Sequence, residues 1–283
     1  MTCHNRRELT RRCLTALARQ DLFDPRDLYL VDDGSTDGTG DMVRALLPQA
    51  GVIVADGSLF WNGGMRLAWD RALAADAPYD FYLWLNDDVE LVEGCLARLV
   101  ADARQVARPG DAVVVAAATA DPANGTITYG GLKGGDPARP LRLQLMRPRR
   151  EVQAADTISG NIVLVSAAAA RSLGTLRPEF EHIYGDLDYG FRARAAGIPV
   201  ALASFIGGTC ERAPDPPERG LAGLRHLARH ARSIHGRDWR RLVALHDPGT
   251  LPALRHRIVP WLRVLALQPN RRGVTAKDFG EPA

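Results

Sequence analysis

Two rhythms of apolar positions alternate along the first two thirds of the chain. From Glu8 to Gln20, Leu9, Cys13, Leu14, Leu17 and Ala18 fall on one face, which predicts a helix. Leu28 to Val31 is a short apolar run that stops at Asp32-Asp33-Gly34-Ser35, a strand followed by a turn. Helical spacing returns over Asp37 to Leu47, and Gly51 to Val54 reads as the next strand. The same alternation continues with a helix over Gly63 to Ala75, a strand over Phe81 to Leu85, a helix over Glu93 to Val106 and a strand over Ala112 to Ala118. This predicts an α/β fold: a Rossmann-like, mostly parallel open sheet with flanking helices. Ligands of such sheets bind beyond the carboxyl ends of the strands. Asp32-Asp33 and Asn86-Asp87-Asp88 both lie at such ends and converge on one rim.

The pattern then loosens. Residues 124–148 are rich in Gly, Pro and Arg and predict a hairpin or loop. Ile158 to Val165 is a strand, Ala167 to Leu173 a short helix, Glu181 to Gly197 a polar turn leading into a helix, and Ile198 to Ala203 a strand. Pro214, Pro216 and Pro217 mark a boundary. Beyond it, helical segments are predicted over 220–235 and 250–267. The expected organisation is a domain over 1–211 and a helical basic extension over 212–283.

Charge supports that division. The whole chain of 283 residues carries a net +3, with no global signature of nucleic-acid binding. Residues 1–211 hold 22 Lys and Arg against 27 Asp and Glu, a balance of −5, whereas residues 212–283 hold 14 against 6, a balance of +8. In the extension, Arg225, Arg229, Arg232, Arg240, Arg241, Arg255, Arg257 and Arg263 accompany Leu224, Leu227, Leu242, Leu245, Ile258, Trp261 and Leu265. Such helices either lie on an anionic membrane or pack on the domain with solvated Arg faces. No apolar stretch approaches membrane-spanning length, and the first residues show no signal-peptide core. Cys3, Cys13, Cys95 and Cys210 are scattered, which points to reduced thiols in a cytoplasmic protein and away from a zinc site.

The chemistry concentrates in four motifs. Asp87 and Asp88 follow five apolar residues, so two adjacent carboxylates sit at the end of a buried strand. They repel unless a cation compensates, and Mg²⁺ or Mn²⁺ suits such a pair; the plainer role is a polar turn. In Asp32-Asp33-Gly34-Ser35-Thr36-Asp37, helix capping accounts for Asp37 and leaves two carboxylates to meet a base or a ribose. Gly63-Gly64 at a helix start suits an anion or a simple turn, with Phe60 and Trp61 alongside. Asp186 and Asp188 either charge a helix N-terminus or include a general base, with Arg192 four residues on as an ion-pair partner.

Cys3-His4-Asn5-Arg6, Val31 to Thr39, Leu85-Asn86-Asp87-Asp88-Val89 and Gly185 to Ala193 occur in an order and spacing that resemble the family 2 glycosyltransferases of GT-A fold. Gly57 to Ala68 is most similar to the rhamnosyltransferase-like branch. The resemblance covers about residues 1–211. It implies a nucleotide-diphosphate sugar donor, a divalent metal and inversion at the anomeric carbon. Thr2, Cys3, Asn5, Arg6, Asp33, Trp61, Asn62, Gly63 and Asp87 are the implied donor-binding residues, with Asp33 toward the base. Asp88, with Asp87, is the implied metal ligand. Asp186 is the implied catalytic base, supported by Asp188 and Arg192.

Three departures stand out. The family's first strand is reduced to almost nothing before Thr2, so a start upstream of Met1 or an impaired strand is expected. Gly185 stands where many members have Glu, and 207–211 lacks the late His that often completes the metal shell. The implied acceptor is a hydroxyl of a cell-surface glycan or a lipid-linked glycan. The enzyme would be cytoplasmic, with the tail either packed on the domain or touching the inner face of the membrane. The rival readings are a sugar nucleotidyltransferase, which normally has a basic Gly-rich phosphate loop after its first strand, and a non-catalytic scaffold.

Overall fold

A computed structural model describes residues 1–75, 79–212, 225, 228, 229 and 233–265, the last five as backbone alone. The elements run β1 (Thr2–Cys3), α1 (Arg7–Leu17), β2 (Tyr29–Asp33), α2 (Thr39–Leu46), β3 (Gly51–Ala55), α3 (Phe60–Leu73), β4 (Phe81–Leu85), β5 (Glu90–Leu91), α4 (Cys95–Val106) and β6 (Val114–Ala120). There follow β7 (Ile127–Tyr129), β8 (Gly131–Gly134), β9 (Leu143–Leu145), β10 (Gln153–Ala154), β11 (Thr157–Ile158), β12 (Ile162–Ser166), α5 (Ala167–Leu173), α6 (Gly185–Ala195) and β13 (Val200–Thr209). Two further helices lie in the extension, α7 (Ile234–His246) and α8 (Thr250–Leu265).

The α/β class with flanking helices is as expected. The parallel part is the β1-β2-β3 sheet and the β6–β13 pair. Helices α1 and α2 supply the crossovers that parallel neighbours require. In the larger sheet, ordered β10-β13-β6-β12-β4, strand β12 runs antiparallel to both β4 and β6. Residues 121–161 make this possible: they form a small β8–β9–β11 sheet, not a crossover helix, and return the chain in the opposite sense. The apolar stretch predicted as one strand over 158–165 is split at Ser159-Gly160-Asn161 into β11 and β12.

Every residue of β6 and β12 is buried, which explains their continuous small-apolar sequences. Alternate residues serve opposite faces. Val115 and Ala117 join Leu14, Leu17, Val43 and Leu99 in one core; Val114 and Ala116 join Trp69, Trp84, Tyr189 and Ala193 in the other. In the second core the ring centroids of Trp69, Trp84 and Tyr189 are 5.0–5.3 Å apart. An apolar cavity of about 250 Å³ is lined by Met1, Tyr29, Met65, Trp69, Trp84 and other residues. At its wall the Met1 ammonium donates to the Tyr29 carbonyl at 2.9 Å, and burial pushes that amine down to about 6.

In the extension, α8 falls within the second predicted helix. The first prediction, over 220–235, falls mostly outside the described residues, as do the side chains of Leu224, Leu227, Arg232, Trp261, Arg263 and Leu265. Helix α7 is absent from the sequence reading. Ser233 caps it, its hydroxyl accepting from the Gly236 amide at 3.3 Å. No helix among the described residues is long and apolar enough to cross a membrane.

Candidate active site

The end of β4 delivers Asn86, Asp87 and Asp88. Asp87 is buried and Asp88 partly exposed. Arg6, entering from the end of β1, directs one guanidinium nitrogen to both carboxylates, 2.9 Å from Asp87 and 2.8 Å from Asp88. Burial, aided by the neighbouring Asp88 charge and opposed by Arg6, lifts the Asp87 carboxyl to about 6. The second Asp87 oxygen is buried with no hydrogen-bond partner. An acceptor left open beside a second carboxylate fits a hard divalent ion that takes its remaining ligands from water and phosphate. Among the described residues no group of three or more His, Cys, Asp or Glu side chains is arranged to hold a metal ion. In place of the late His, Cys210 sets its thiol 3.5 Å from Asp88, and burial raises that thiol to about 12.

The other strand-end residues mostly brace one another. Asn5, at φ +52°, accepts from the Thr36 amide at 2.8 Å and donates its own amide to Ser35 at 2.9 Å. His4 contacts the Asp33 carbonyl at 2.5 Å. Asp37 accepts from the Thr39 amide at 3.0 Å and from the Arg7 amide at 3.0 Å, but the N-cap of α2 is Gly38, so Asp37 ties the starts of α1 and α2 together and does not itself cap the helix as expected. Asp33 is 3% exposed, and its oxygens accept from the amides of Gly57 at 3.0 Å, Leu59 at 3.3 Å and Phe60 at 2.8 Å. It therefore shapes the 57–60 turn. Thr2 and Cys3 are buried, and Thr2 packs so closely on α3 that a Cβ at Gly64 would sit 2.1 Å from its hydroxyl.

The 57–64 turn connects this end of the sheet with the acidic helix α6. Trp61 donates its indole N–H to Asn86 at 2.8 Å, and its backbone amide donates to His182 at 3.3 Å. Gly63 continues the helix by donating to the Leu59 carbonyl at 3.1 Å. Asn62 is enclosed, and its amide donates to the carbonyls of Arg177 at 2.9 Å and Phe180 at 2.7 Å. Asn62 also accounts for Gly185. A Cβ there would lie 1.8 Å from the Asn62 carbonyl oxygen, so no larger residue fits before Asp186.

Asp186 lies in the first turn of α6, following Tyr184 at φ +68°. Its carboxylate accepts from the amides of Gly160 at 2.7 Å and Leu187 at 2.8 Å. Burial outweighs those bonds and lifts the carboxyl to about 6. Gly160 is as constrained as Gly185: a Cβ there would lie 2.7 Å from the Trp61 ring and 3.2 Å from the Asp186 Cβ. Asp88, Asp87, Asn86, Trp61, Gly160 and Asp186 thus form one contiguous set. Asp188 is fully buried, and Arg192 bonds it at 2.8 Å in the expected i, i+4 pair. Gly160, His182, Asp238 and His246 are site neighbours that the sequence reading missed. An acidic residue inside a basic helix was the available signal for Asp238.

The strand-end carboxylates Asp87 and Asp88 and the first turn of α6 with Asp186, which carry the resemblance to the family 2 glycosyltransferases, thus lie on one side of the α/β sheet, joined through Trp61 and Gly160. The family profile described as Glycosyl transferase family 2 matches residues 1–164, and the chain belongs to that family. No curated protein matches it by sequence. Similar solved structures include S. aureus TarS 1–349, at 14% identity over 93% of this chain and 79% of that chain, TM-score 0.51. TarS 1–349 in complex with UDP matches at 15% identity over 86% and 70%, TM-score 0.51. The mannosyltransferase PcManGT from Pyrobaculum calidifontis, in complex with GDP-Man and Mn²⁺, matches at 16% identity over 94% and 79%, TM-score 0.49. The TarS likeness shows the fold.

Proposed function

We propose that the protein is an inverting glycosyltransferase of the rhamnosyltransferase-like branch. It moves a sugar from a nucleotide-diphosphate donor, dTDP-rhamnose or a UDP-sugar, to a hydroxyl of a cell-surface glycan or glycolipid. The observation that carries this reading is Asp186, a carboxylate whose proton affinity is raised by burial and which is linked through Gly160 and Trp61 to the strand end that bears Asp87 and Asp88. A base tuned toward neutral pH is what proton removal from a hydroxyl requires.

Thr2, Cys3, Asn5, Arg6, Asp33, Trp61, Asn62, Gly63 and Asp87 form and brace the donor pocket at the ends of β1, β2 and β4. Asp87 and Asp88 would hold Mg²⁺ or Mn²⁺, which when bound neutralises the diphosphate leaving group as a Lewis acid. Arg6 keeps positive charge between the two carboxylates in the absence of donor. Asp186 accepts the proton of the acceptor hydroxyl while that oxygen forms its bond to the anomeric carbon. The bond to the diphosphate oxygen breaks on the opposite face, and the diphosphate leaves with the electron pair. Asp188 and Arg192 hold the first turn of α6 in place. At the surface, Leu251, Leu254 and Ile258 of α8 are exposed beside Arg257. This supports contact with an anionic membrane bearing the acceptor.

A panel of sugar nucleotides incubated with the protein and acceptor mixtures tests the reading. Release of nucleoside diphosphate is expected. Pyrophosphate release would instead establish a nucleotidyltransferase, and absence of both binding and turnover a scaffold. Failure to co-sediment with anionic liposomes at low salt would remove the membrane contact.

A further inference from the structure

Helix α7 turns a charged residue toward the domain. Its buried positions include Asp238, Leu242 and Val243, and Asp238 is fully buried. An enclosed carboxylate is tolerated when its oxygens are all taken up. Asp238 achieves this with three successive backbone amides: Glu181 at 3.1 Å, His182 at 2.8 Å and Ile183 at 3.1 Å. Arg241 bonds it from its own helix at 3.0 Å. The three amides belong to the turn that runs directly into Tyr184, Gly185 and Asp186, and no helix or strand claims them.

Five side chains of α7 also reach the same turn and the helix after it. Arg237 and Arg241 bond Glu181 at 2.7 Å and 3.1 Å, holding its carboxyl down at about 2. Trp239 packs on Tyr184 with ring centroids 5.4 Å apart. His235 meets His182 at 5.1 Å, and His182 is the residue that accepts from Trp61. One helical length on, the His246 Nε2 lies 2.9 Å from Asp188, with its ring 4.7 Å from Phe191. The helix therefore grips the base-bearing segment on both sides of Asp186.

We infer that α7 belongs to the active site, with Asp238 and His246 as positioning residues that hold the 181–188 segment, and through it Asp186, in register with the acceptor hydroxyl. This rests on the reading of Asp186 as base. Apolar packing alone would tolerate sliding. Convergent amide bonds to one buried carboxylate do not, and a displacement of about 1 Å at a reacting group costs roughly 10²-fold in rate.

The test uses the full chain with the best donor of the panel. For Asp238→Ala and the near-isosteric Asp238→Asn, kcat is expected to fall roughly 10- to 100-fold and less, respectively. Donor dissociation constants, measured by calorimetry, stay within about twofold, because neither Asp238 nor His246 bonds a donor-pocket residue directly. Amide exchange at 181–183 accelerates in both variants while α6 stays protected. His246→Ala lowers kcat, and His246→Gln, whose amide can donate to Asp188, restores most of it. Faster exchange at 181–183 with unchanged kcat overturns the inference, as does a fall in donor affinity that parallels the fall in kcat. A wild-type chain that releases no diphosphate from any donor overturns the base reading and this inference together. Unchanged variants of an active wild type overturn this inference alone.

Discussion

Replacing Asp186 by Asn separates the cost of this carboxylate from its use. Burial lifts the acid from 3.8 to about 6, although two backbone amides bond it. Each tenfold change in proton affinity is worth about 1.4 kcal/mol, so the ionised group destabilises the folded chain by ~3 kcal/mol at neutral pH. Asn cannot ionise, but its single carbonyl oxygen serves one of the two amides well, and the lost bond costs about 1–2 kcal/mol. A net gain of ~1–2 kcal/mol remains, roughly 3–6 °C in melting temperature for a chain of this size. The gain depends on pH. Near pH 4 and below, the carboxyl is protonated in the folded state and increasingly so in the unfolded chain. As pH rises toward 6 the unfolded chain gives up its proton first, and folded-state stability falls; above 6 the loss is complete. The melting difference between the Asp186→Asn variant and the wild type should therefore open between pH 4 and 6 and stay constant above. Transfer should fall by roughly 10²–10⁴, the usual worth of a general base, and wild-type kcat/KM should decline as pH drops through about 6. Scanning calorimetry from pH 4 to 8 and a diphosphate-release assay read both effects. Near wild-type turnover, or a melting difference that does not change across that range, would refute the reasoning.

Other substitutions test the frame around that base. Asp88→Asn should weaken metal-dependent donor binding, and a metal titration indistinguishable from wild type would remove Asp88 as a ligand. Arg6→Ala removes the cation that bonds both carboxylates, so Mn²⁺ should bind the donor-free protein more tightly by calorimetry. Gly185→Glu, which installs the residue many family members carry, should destabilise by about 1–3 kcal/mol because Asn62 occupies that space, visible as a lower melting temperature. Gly160→Ala should reduce transfer by forcing the Trp61 ring and Asp186 apart, with a matching change in tryptophan fluorescence.

Much of this site is legible in local sequence. Asp87 and Asp88 announce themselves because five apolar residues precede them, and Asp188 and Arg192 because helical spacing makes them meet. Apolar periodicity says which face of an element is buried but not what lies against it. That is why the antiparallel insertion of β12 between β4 and β6, and the break at Gly160, are invisible there. The same limit hides the inward turn of Asp33, whose partners are 24 to 27 residues away. Helix α7 escapes for a different reason: its central buried position is an aspartate, which a hydrophobic pattern scores as surface. Only the amides of residues 181–183, brought close by the fold, explain it.

The four cysteines all lie in the interior. Burial raises each thiol well above its ordinary range, to about 12 for Cys95 and Cys210. Thiolate is the reactive form, so alkylating reagents must wait for the fold to open. Labelling of Cys95, which packs among Leu99 and Ile162, then times the opening of the core. Labelling of Cys210, which donates to Asp88, times exposure of that carboxylate. A bound ligand that slows the second rate and leaves the first unchanged would map its own position, with no reporter group added to the chain.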